Sequence, residues 1–415
     1  MKIVIIGGGI LGLGAAYYLN QSGWQVTVLD KKNLLDNCSY GNAGYVCPSH
    51  FIPMATPGIV KQGLKWMFNS RSPFYIQPRL NGALIDWGLK FVRSATPEKV
   101  AAAAVPLRDI ALLSQHEFKQ WAKIPSFDFS YEHKGLLEIF QTEKAAEHAR
   151  HTVEKGKELG LAVDLLDYNA MSALEPGVKI NGRGAIFFNC DAHLYLNKLM
   201  GGLLALLKER GVVLIPNEEV TSFGKAEGPV KKILTATNAY EADAVVIATG
   251  SWSREIAALL QTRIPLMPGR GYSLTLDNST YTINHPAILV EGKTAITPMD
   301  GNKIRFGDTM EITSTCTPPR MNRMQGILDA VKRFFPAFDI PLPEAGKIWY
   351  GYRPCSADGL PYIGRIKKWK NVVVATGHSM LGISVDAGTG KIVSELNEQP
   401  LSMDTRPFMV ERFNG

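Results

Sequence analysis

The first thirty residues constrain the fold more than any other part of the chain. Lys2-Ile3-Val4-Ile5-Ile6 is an apolar run with the length of a buried parallel strand. Gly7-Gly8-Gly9-Ile10-Leu11-Gly12 follows at once and sets Gly7, Gly9 and Gly12 in GxGxxG spacing. Residues 13–20 read as a helix, with small Gly14, Ala15 and Ala16 where it must lie close to the strand. Gly23 ends it, and Gln25-Val26-Thr27-Val28-Leu29 is a second strand closing on Asp30. Each part has a physical task. Gly7 permits a tight turn, Gly9 lets backbone approach a pyrophosphate, and Gly12 allows close helix–strand packing. Free amides at the helix start attract phosphate. Asp30 stands where a carboxylate accepts bonds from a ribose. The whole unit in this order points to a dinucleotide site rather than a glycine-rich structural turn.

Composition narrows the class. The 415 residues suggest two or three domains, and 46% hydrophobic with 20% charged residues is ordinary globular material. The five cysteines lack metal-type spacing, and an odd count fits a reducing compartment. A strand starting at residue 2 predicts no secretory signal, and no run of about 18 apolar residues predicts a spanning helix. The expected location is cytoplasmic, with peripheral contact at the inner face of the membrane. The net charge of +7 is compatible with a solvated basic surface, an anionic membrane, an acidic substrate or nucleic acid. No helix-turn-helix, zinc or RNA-binding signature supports the last, so no nucleic-acid partner is expected.

Along the chain, Cys38-Ser39-Tyr40-Gly41-Asn42-Ala43-Gly44-Tyr45 is a loop of small and turn-forming residues, suited to lie flat against a planar ligand. Residues 61–93 interleave Trp66, Phe68, Phe74, Tyr75, Trp87 and Phe91 with Lys61, Lys65, Arg71, Arg79, Lys90 and Arg93. Such a mixture suits a lipid headgroup interface; the alternative is the core entry of a second domain. Residues 97–124 read as a helical region interrupted at Pro106, and residues 127–140 as a hairpin around His133-Lys134. Residues 242–248 are another buried strand running into Thr249-Gly250, placed to share the first site. From Arg263 onward the texture is antiparallel. From Lys347 the α/β texture returns. The expected fold is therefore α/β (α+β overall), with a discontinuous Rossmann-like domain over 1–75, 160–260 and 347–415. An antiparallel-sheet substrate domain, 76–159 and 261–346, is inserted into it.

These motifs carry a resemblance over nearly the whole chain. GGGILGLG with Asp30, CSYGNAGYVCPSH, LDYNAMSALEP, ATGSWS, GRGYSLT, IRFGD, GYRPCSADGLPYIG and ATGHSMLGISVDAGTG resemble the flavin-dependent D-amino-acid oxidoreductases related to glycine oxidase. Among these, the chain looks most like the bacterial D-amino-acid dehydrogenases. The resemblance implies FAD as the dinucleotide. Gly7, Gly9, Ile10, Leu11, Gly12, Asp30 and Lys31 would hold its ADP half, and Ser39, Asn42, Ala43 and Gly44 would lie along the flavin. Val220 would meet the adenine through its backbone, and Thr249 and Gly250 the pyrophosphate. Gly377, His378, Leu381, Gly382 and Ile383 would edge the isoalloxazine. Asp386 is a departure, because it puts an acid near a helix start that should stabilise negative charge on reduced flavin.

The resemblance also implies that Arg353, in its GxRP segment, pairs with a substrate carboxylate. A bidentate guanidinium fixes a planar carboxylate and so aims the α-hydrogen at the flavin. Arg353 and Tyr272 are the candidate catalytic pair. Tyr272 is a second donor to the carboxylate, or a core aromatic. Arg305 is a second anion contact or a sheet-surface charge, and His50 faces the flavin or sits in a polar loop. No metal cluster stands out. The implied activity is FAD-dependent oxidative deamination of a D-amino acid, proline-like rings included, to the imino or 2-oxo acid. The sequence leaves the electron acceptor open, with a membrane quinone as one candidate. The alternatives are an oxygen-using glycine or sarcosine-type oxidase, and an RNA-modifying flavoprotein, for whose extra domain the chain has no spare length.

Overall fold

The computed structural model describes residues 1–59, 63, 71–224, 228–307, 309–398 and 400–413. A six-stranded sheet runs in the order Tyr362–Ile366, Trp369–Thr376, Ala244–Ile247, Lys2–Ile6, Gln25–Leu29, Val213–Ile215. All its pairs are parallel except the first. Both faces are covered, which is why the strands are continuously apolar. Ile3, Ile5, Val26, Val28, Val246 and Val373 pack on one side with the helices Ile10–Gln21, Leu196–Glu209 and Asp386–Glu398. Val4, Ile6, Leu29, Val245, Ile247 and Val374 face the other way, towards Val220 and Ile233 of a three-stranded meander. The expected Rossmann-like unit is present.

A ten-stranded sheet forms the second body, in the order Phe74–Ile76, Met310–Ile312, Leu266–Leu276, Ile304–Gly307, Thr294–Pro298, Ala287–Leu289, Leu136–Phe140, Gly184–Phe188, Val163–Asp167. Trp349–Ser356 pairs along the other side of Leu266–Leu276. One face of this sheet is closed by the helix Met321–Phe334, where Tyr272, Leu274 and Phe306 meet Met324, Ile327 and Val331. The opposite face is turned towards the loop at 40–45.

Sheet membership shifts the expected boundaries. Val163–Asp167, Gly184–Phe188 and Trp349–Ser356 were expected with the dinucleotide segments, but all three pair into the ten-stranded sheet. The hairpin over 127–140 does not form. Leu136–Phe140 pairs instead with Gly184–Phe188 and, in parallel, with Ala287–Leu289, because its apolar residues are buried on both faces. The helix Pro97–Trp121 runs unbroken through Pro106 and packs against the helices Ile10–Gln21 and Asp386–Glu398 that cover the six-stranded sheet. Its buried residues Ala103, Leu107, Ile110, Phe118 and Trp121 lie on both sides of the proline. That burial outweighs the ~3 kcal/mol a proline costs in a helix interior.

A buried ion pair ties the second body together. Arg270 donates from Nε and Nη2 to Glu311 Oε2 at 2.9 and 2.7 Å, and from Nη1 to the Thr317 carbonyl at 2.5 Å. The Tyr272 hydroxyl donates to the same carboxylate oxygen at 3.0 Å. Neither charge reaches solvent, so removing one partner strands the other. Glu311→Ala is expected to lower unfolding stability by about 3–5 kcal/mol. Denaturant unfolding of wild type and variant checks this; a change below ~1 kcal/mol would show that the pair does not hold the sheet.

Candidate functional site

Three strand ends of the six-stranded sheet converge on one turn cluster. Gly7 has φ +110°, and a Cβ there would lie 2.5 Å from the Ala248 carbonyl oxygen. A Cβ on Gly12 would lie 1.8 Å from the Gly7 oxygen. Both positions therefore demand glycine for packing. Gly9 differs: it caps the first helix in extended conformation with no side-chain cap bond, and a Cβ there would meet only Ser39 Oγ, at 3.6 Å. The space before the helix is kept clear by the missing side chain, as a phosphate cradle requires. The Ile10 amide donates to Ser39 Oγ at 3.1 Å, and Leu11 lies in the same first turn. Asp30 accepts from the Gly8 and Lys32 amides at 2.7 and 2.8 Å, which fixes its carboxylate at the mouth of the turn. Lys31 stands 4.1 Å from the Trp252 ring centroid. Thr376 Oγ1 donates to the Gly250 carbonyl at 3.0 Å, and Thr249 Oγ1 lies 3.1 Å from Ser253 Oγ. Val220, buried, begins the meander just past Glu218, whose amide donates to the Asp30 carbonyl at 2.7 Å. These groups fit the ADP half of a dinucleotide.

The loop at 39–45 is hung from the ten-stranded sheet. Arg305, almost wholly buried, donates from Nη1 to the Tyr40 and Asn42 carbonyls at 2.9 and 2.6 Å. Its Nε reaches Thr275 Oγ1 at 2.9 Å, and Nη2 reaches Asn197 Oδ1 at 3.3 Å. With its fork occupied this way, Arg305 holds the loop. It is a positioning residue, which corrects the anion-contact expectation. Asn42 Oδ1 accepts from the Gly44 amide at 2.9 Å; a Cβ on Gly44, at φ +80°, would strike the Leu194 carbonyl oxygen at 2.1 Å. Ala43 packs among Tyr45 and Cys47. Ser384 Oγ donates to the Tyr45 carbonyl at 2.9 Å and accepts the Cys47 amide at 3.1 Å, joining this loop to the turn that precedes the last helix. Nothing in the sequence singled out Ser384. Next along the chain, Ser49 Oγ donates to buried Asp191 at 2.5 Å. His50 is half-buried, and desolvation depresses its pKa to about 4, so the ring is neutral at pH 7.

The two-residue period of an antiparallel pair decides which side chains share a face. Arg353 lies opposite Gly269, Gly351 opposite Gly271, and Trp349 opposite Ser273. These residues, with Thr275 and its partner Arg305, form the face turned towards the 40–45 loop. Tyr272, opposite Tyr350, falls on the other face with Arg270. The Tyr272 hydroxyl accepts from the Arg320 amide at 2.9 Å and is held by Glu311, and burial raises its pKa to about 12. Tyr272 therefore cannot share a carboxylate with Arg353; it is the core aromatic of the two readings. The Arg353 guanidinium lies flat over Gly271, where a Cβ would be 2.5–2.8 Å from Nη1, Cζ and Nη2, and Nη1 donates to the Thr309 carbonyl. Gly271 and Trp349 were missed in the sequence, yet alternation in GRGYSLT and WYGYRP carries the signal.

At the third strand end, Gly377 has φ +80°, and His378 is buried with Nε2 3.1 Å from Thr389 Oγ1. Burial lowers the His378 pKa to about 3, so its side chain is a neutral helix contact. Ile383 is in the core, Leu381 packs at its rim, and a Cβ on Gly382 would meet nothing within 4 Å. Asp386 is wholly buried against the first helix: a Cβ on Gly14 would lie 3.0 Å from both its carboxyl oxygens. Burial holds this carboxyl well above the usual carboxylate range, which disfavours its charged form. The apparent departure is an acid buried in helix packing.

Similarity to known proteins agrees with this geometry. The signature of the family described as FAD dependent oxidoreductase, DAO, matches residues 2–396. A D-amino acid dehydrogenase of Granulibacter bethesdensis is 29% identical, with 100% of both chains covered. One from Cereibacter sphaeroides is 30% identical over 95% of this chain and 91% of its own. Glycine oxidase from Geobacillus kaustophilus superposes with a TM-score of 0.77 at 19% identity, covering 99% of both chains. L-proline dehydrogenase from P. horikoshii does so with 0.74 at 19%, covering 100% of this chain and 97% of its own. With a signature spanning almost the whole chain and a cradle that fits the cofactor, the protein belongs to the DAO family of FAD-dependent oxidoreductases.

Proposed function

We propose that this oxidoreductase removes a hydride from the α-carbon of a D-amino acid, giving a 2-imino acid that water converts to the 2-oxo acid and ammonia. The observation carrying the reading is Arg353, laid flat on the sheet face that also holds the 40–45 loop. The relatives named D-amino acid dehydrogenase support the substrate class. FAD, when bound, supplies the hydride acceptor. Gly9 and Asp30 would hold its ADP half, Arg305 fixes the 40–45 loop, and Arg353 would orient the substrate carboxylate. The amine reacts uncharged, because a positive nitrogen opposes hydride departure from the adjacent carbon. Neutral His50 and His378 add no charge. Cyclic secondary amines such as D-proline fit the same demands. Anaerobic flavin reduction followed by mixing with oxygen or a quinone separates oxidase from dehydrogenase.

Arg353→Lys keeps the charge but loses the planar fork, so kcat/KM is expected to fall about 100-fold, or ~3 kcal/mol. Arg353→Ala falls further while FAD stays bound. Steady-state kinetics with a D-amino acid and its amide check this. A variant that still discriminates acid from amide like wild type would remove Arg353 as the anchor. Gly9→Leu fills the cradle, and the purified variant should lose its bound FAD; a variant that stays yellow would disprove the cradle assignment.

The acceptor reading involves a membrane surface. No helix among the described residues is long and apolar enough to cross a bilayer. Lys61, Lys65, Trp66 and Phe68 lie outside the described residues. Trp87 and Phe91 do not face outward; they stack at 5.0 Å in a core with Met267 and Met310. Tyr75 lies beneath Arg320 and Arg323. The helix Gly82–Ser94 instead exposes aliphatic Ile85, Leu89 and Val92 at 54–55%, preceded by Leu80 at 104%. An exposed apolar stripe on a chain of charge +7 fits peripheral contact with anionic lipid, where a quinone acceptor would be found. Co-sedimentation with anionic vesicles, released by salt and weakened by Leu89→Asp, is expected; equal recovery in the supernatant with and without vesicles would rule the contact out.

A further inference from the structure

Two side chains converge on one pair of bare backbones. Gly271 and Gly351 are register partners across the antiparallel strands. The Arg353 guanidinium covers Gly271, with Nη1, Cζ and Nη2 at 2.5, 2.7 and 2.8 Å from where a Cβ would be. The Trp349 indole covers Gly351: its Cη2 and Cζ2 are 2.3 and 2.6 Å from a Cβ built there. The same indole lies against Gly41 of the cofactor loop, 1.9 Å from a Cβ built at that residue. Arg353 and Trp349 stand four residues apart on one strand and one face, and they lean onto directly opposed positions. Opposed Cα atoms in such a pair are ~4.5–5.5 Å apart. A cation and the hydrocarbon edge of an indole are thus brought side by side, next to the loop that carries Asn42 and Ala43.

We propose that the Gly271–Gly351 pair is the floor of the amino-acid pocket and that Trp349 is its side-chain wall, the residue that sets substrate preference. This rests on the reading of Arg353 as the carboxylate anchor. A carboxylate held by Arg353 places its α-carbon, one bond away, within reach of the indole edge. That edge is Cη2 and Cζ2, with no polar atom, so the group it meets is apolar. The indole is also wedged between two backbones, Gly41 and Gly351, and cannot retreat to admit a long side chain. The pocket therefore favours compact apolar D-amino acids and five-membered imino-acid rings over bulky aromatic ones. Gly271 is a positioning residue: any side chain there lifts the guanidinium off the floor.

The test is a kcat/KM series for D-alanine, D-proline, D-valine and D-phenylalanine on the FAD-loaded enzyme. Trp349→Ala should raise the D-phenylalanine to D-alanine ratio by at least about tenfold, the range a change of pocket size produces. Trp349→Phe, which keeps a smaller plate, should move the ratio less, and it carries the test if Trp349→Ala loses FAD. Gly271→Ala should lower kcat/KM for all four substrates alike, with FAD retained, and should add nothing in an Arg353→Ala background. An unchanged ratio in the Trp349 variants, with Arg353→Ala still crippling, overturns this inference and leaves the anchor standing. A further loss from Gly271→Ala in the Arg353→Ala background overturns the floor. Normal activity of Arg353→Ala removes the anchor reading itself.

Discussion

The antiparallel pairing of Leu266–Leu276 with Trp349–Ser356 sets what the site can be made of. Its period sends Arg353, Gly271, Gly351 and Trp349 to one face and Arg270, Tyr272 and Tyr350 to the other. The two faces have opposite requirements. The inner one is a closed electrostatic knot, in which Glu311 Oε2 accepts from Arg270 and Tyr272 while Arg320 Nε stands 3.3 Å from Oε1. The outer one is left bare by glycines so that large side chains can lie down on it. A slip of one residue in this register would bury the anchor and expose the knot.

The six-stranded sheet places the cofactor by a separate rule. Parallel strands bring their carboxyl ends to one edge, and the turns after Ile6, Ile247 and Thr376 meet there. Gly7 and Gly12 are glycine because protein backbone fills the space a Cβ would need, whereas Gly9 is glycine with almost nothing beside it. That contrast separates two packing glycines from one beside open space within a single motif.

Much of this was legible in the chain. The strand–glycine–helix–strand–acid unit is local, so sequence order alone reveals it. Arg353 was legible through a motif, and Gly44 and Asn42 through loop composition. What sequence could not supply was the partner of each charged or aromatic group. Arg305 and Tyr272 both sit in strands of plausible pattern, but their roles are decided by Tyr40, Asn42 and Glu311, residues 39 to 265 positions away. Asp386 looks anomalous in the sequence for the same reason, since its burial against Gly14 shows only in the fold. Pro106 misled because a local penalty was outweighed by packing at both ends of a long helix.

The Arg305 clamp has a consequence for how the protein is made. The loop at 40–45 belongs to the first fifty residues, yet its carbonyls are fastened by a guanidinium 263 and 265 positions later. During synthesis, the first strand, turn and helix emerge early with their phosphate cradle complete in sequence. The loop gains its fastening only after the strand carrying Arg305 has left the ribosome and paired with Leu266–Leu276. The fastening of this loop is thereby deferred to a late stage of assembly, when the second sheet exists to receive it. A nascent chain stalled before that point would have a nucleotide turn but no fixed bed for the ring system.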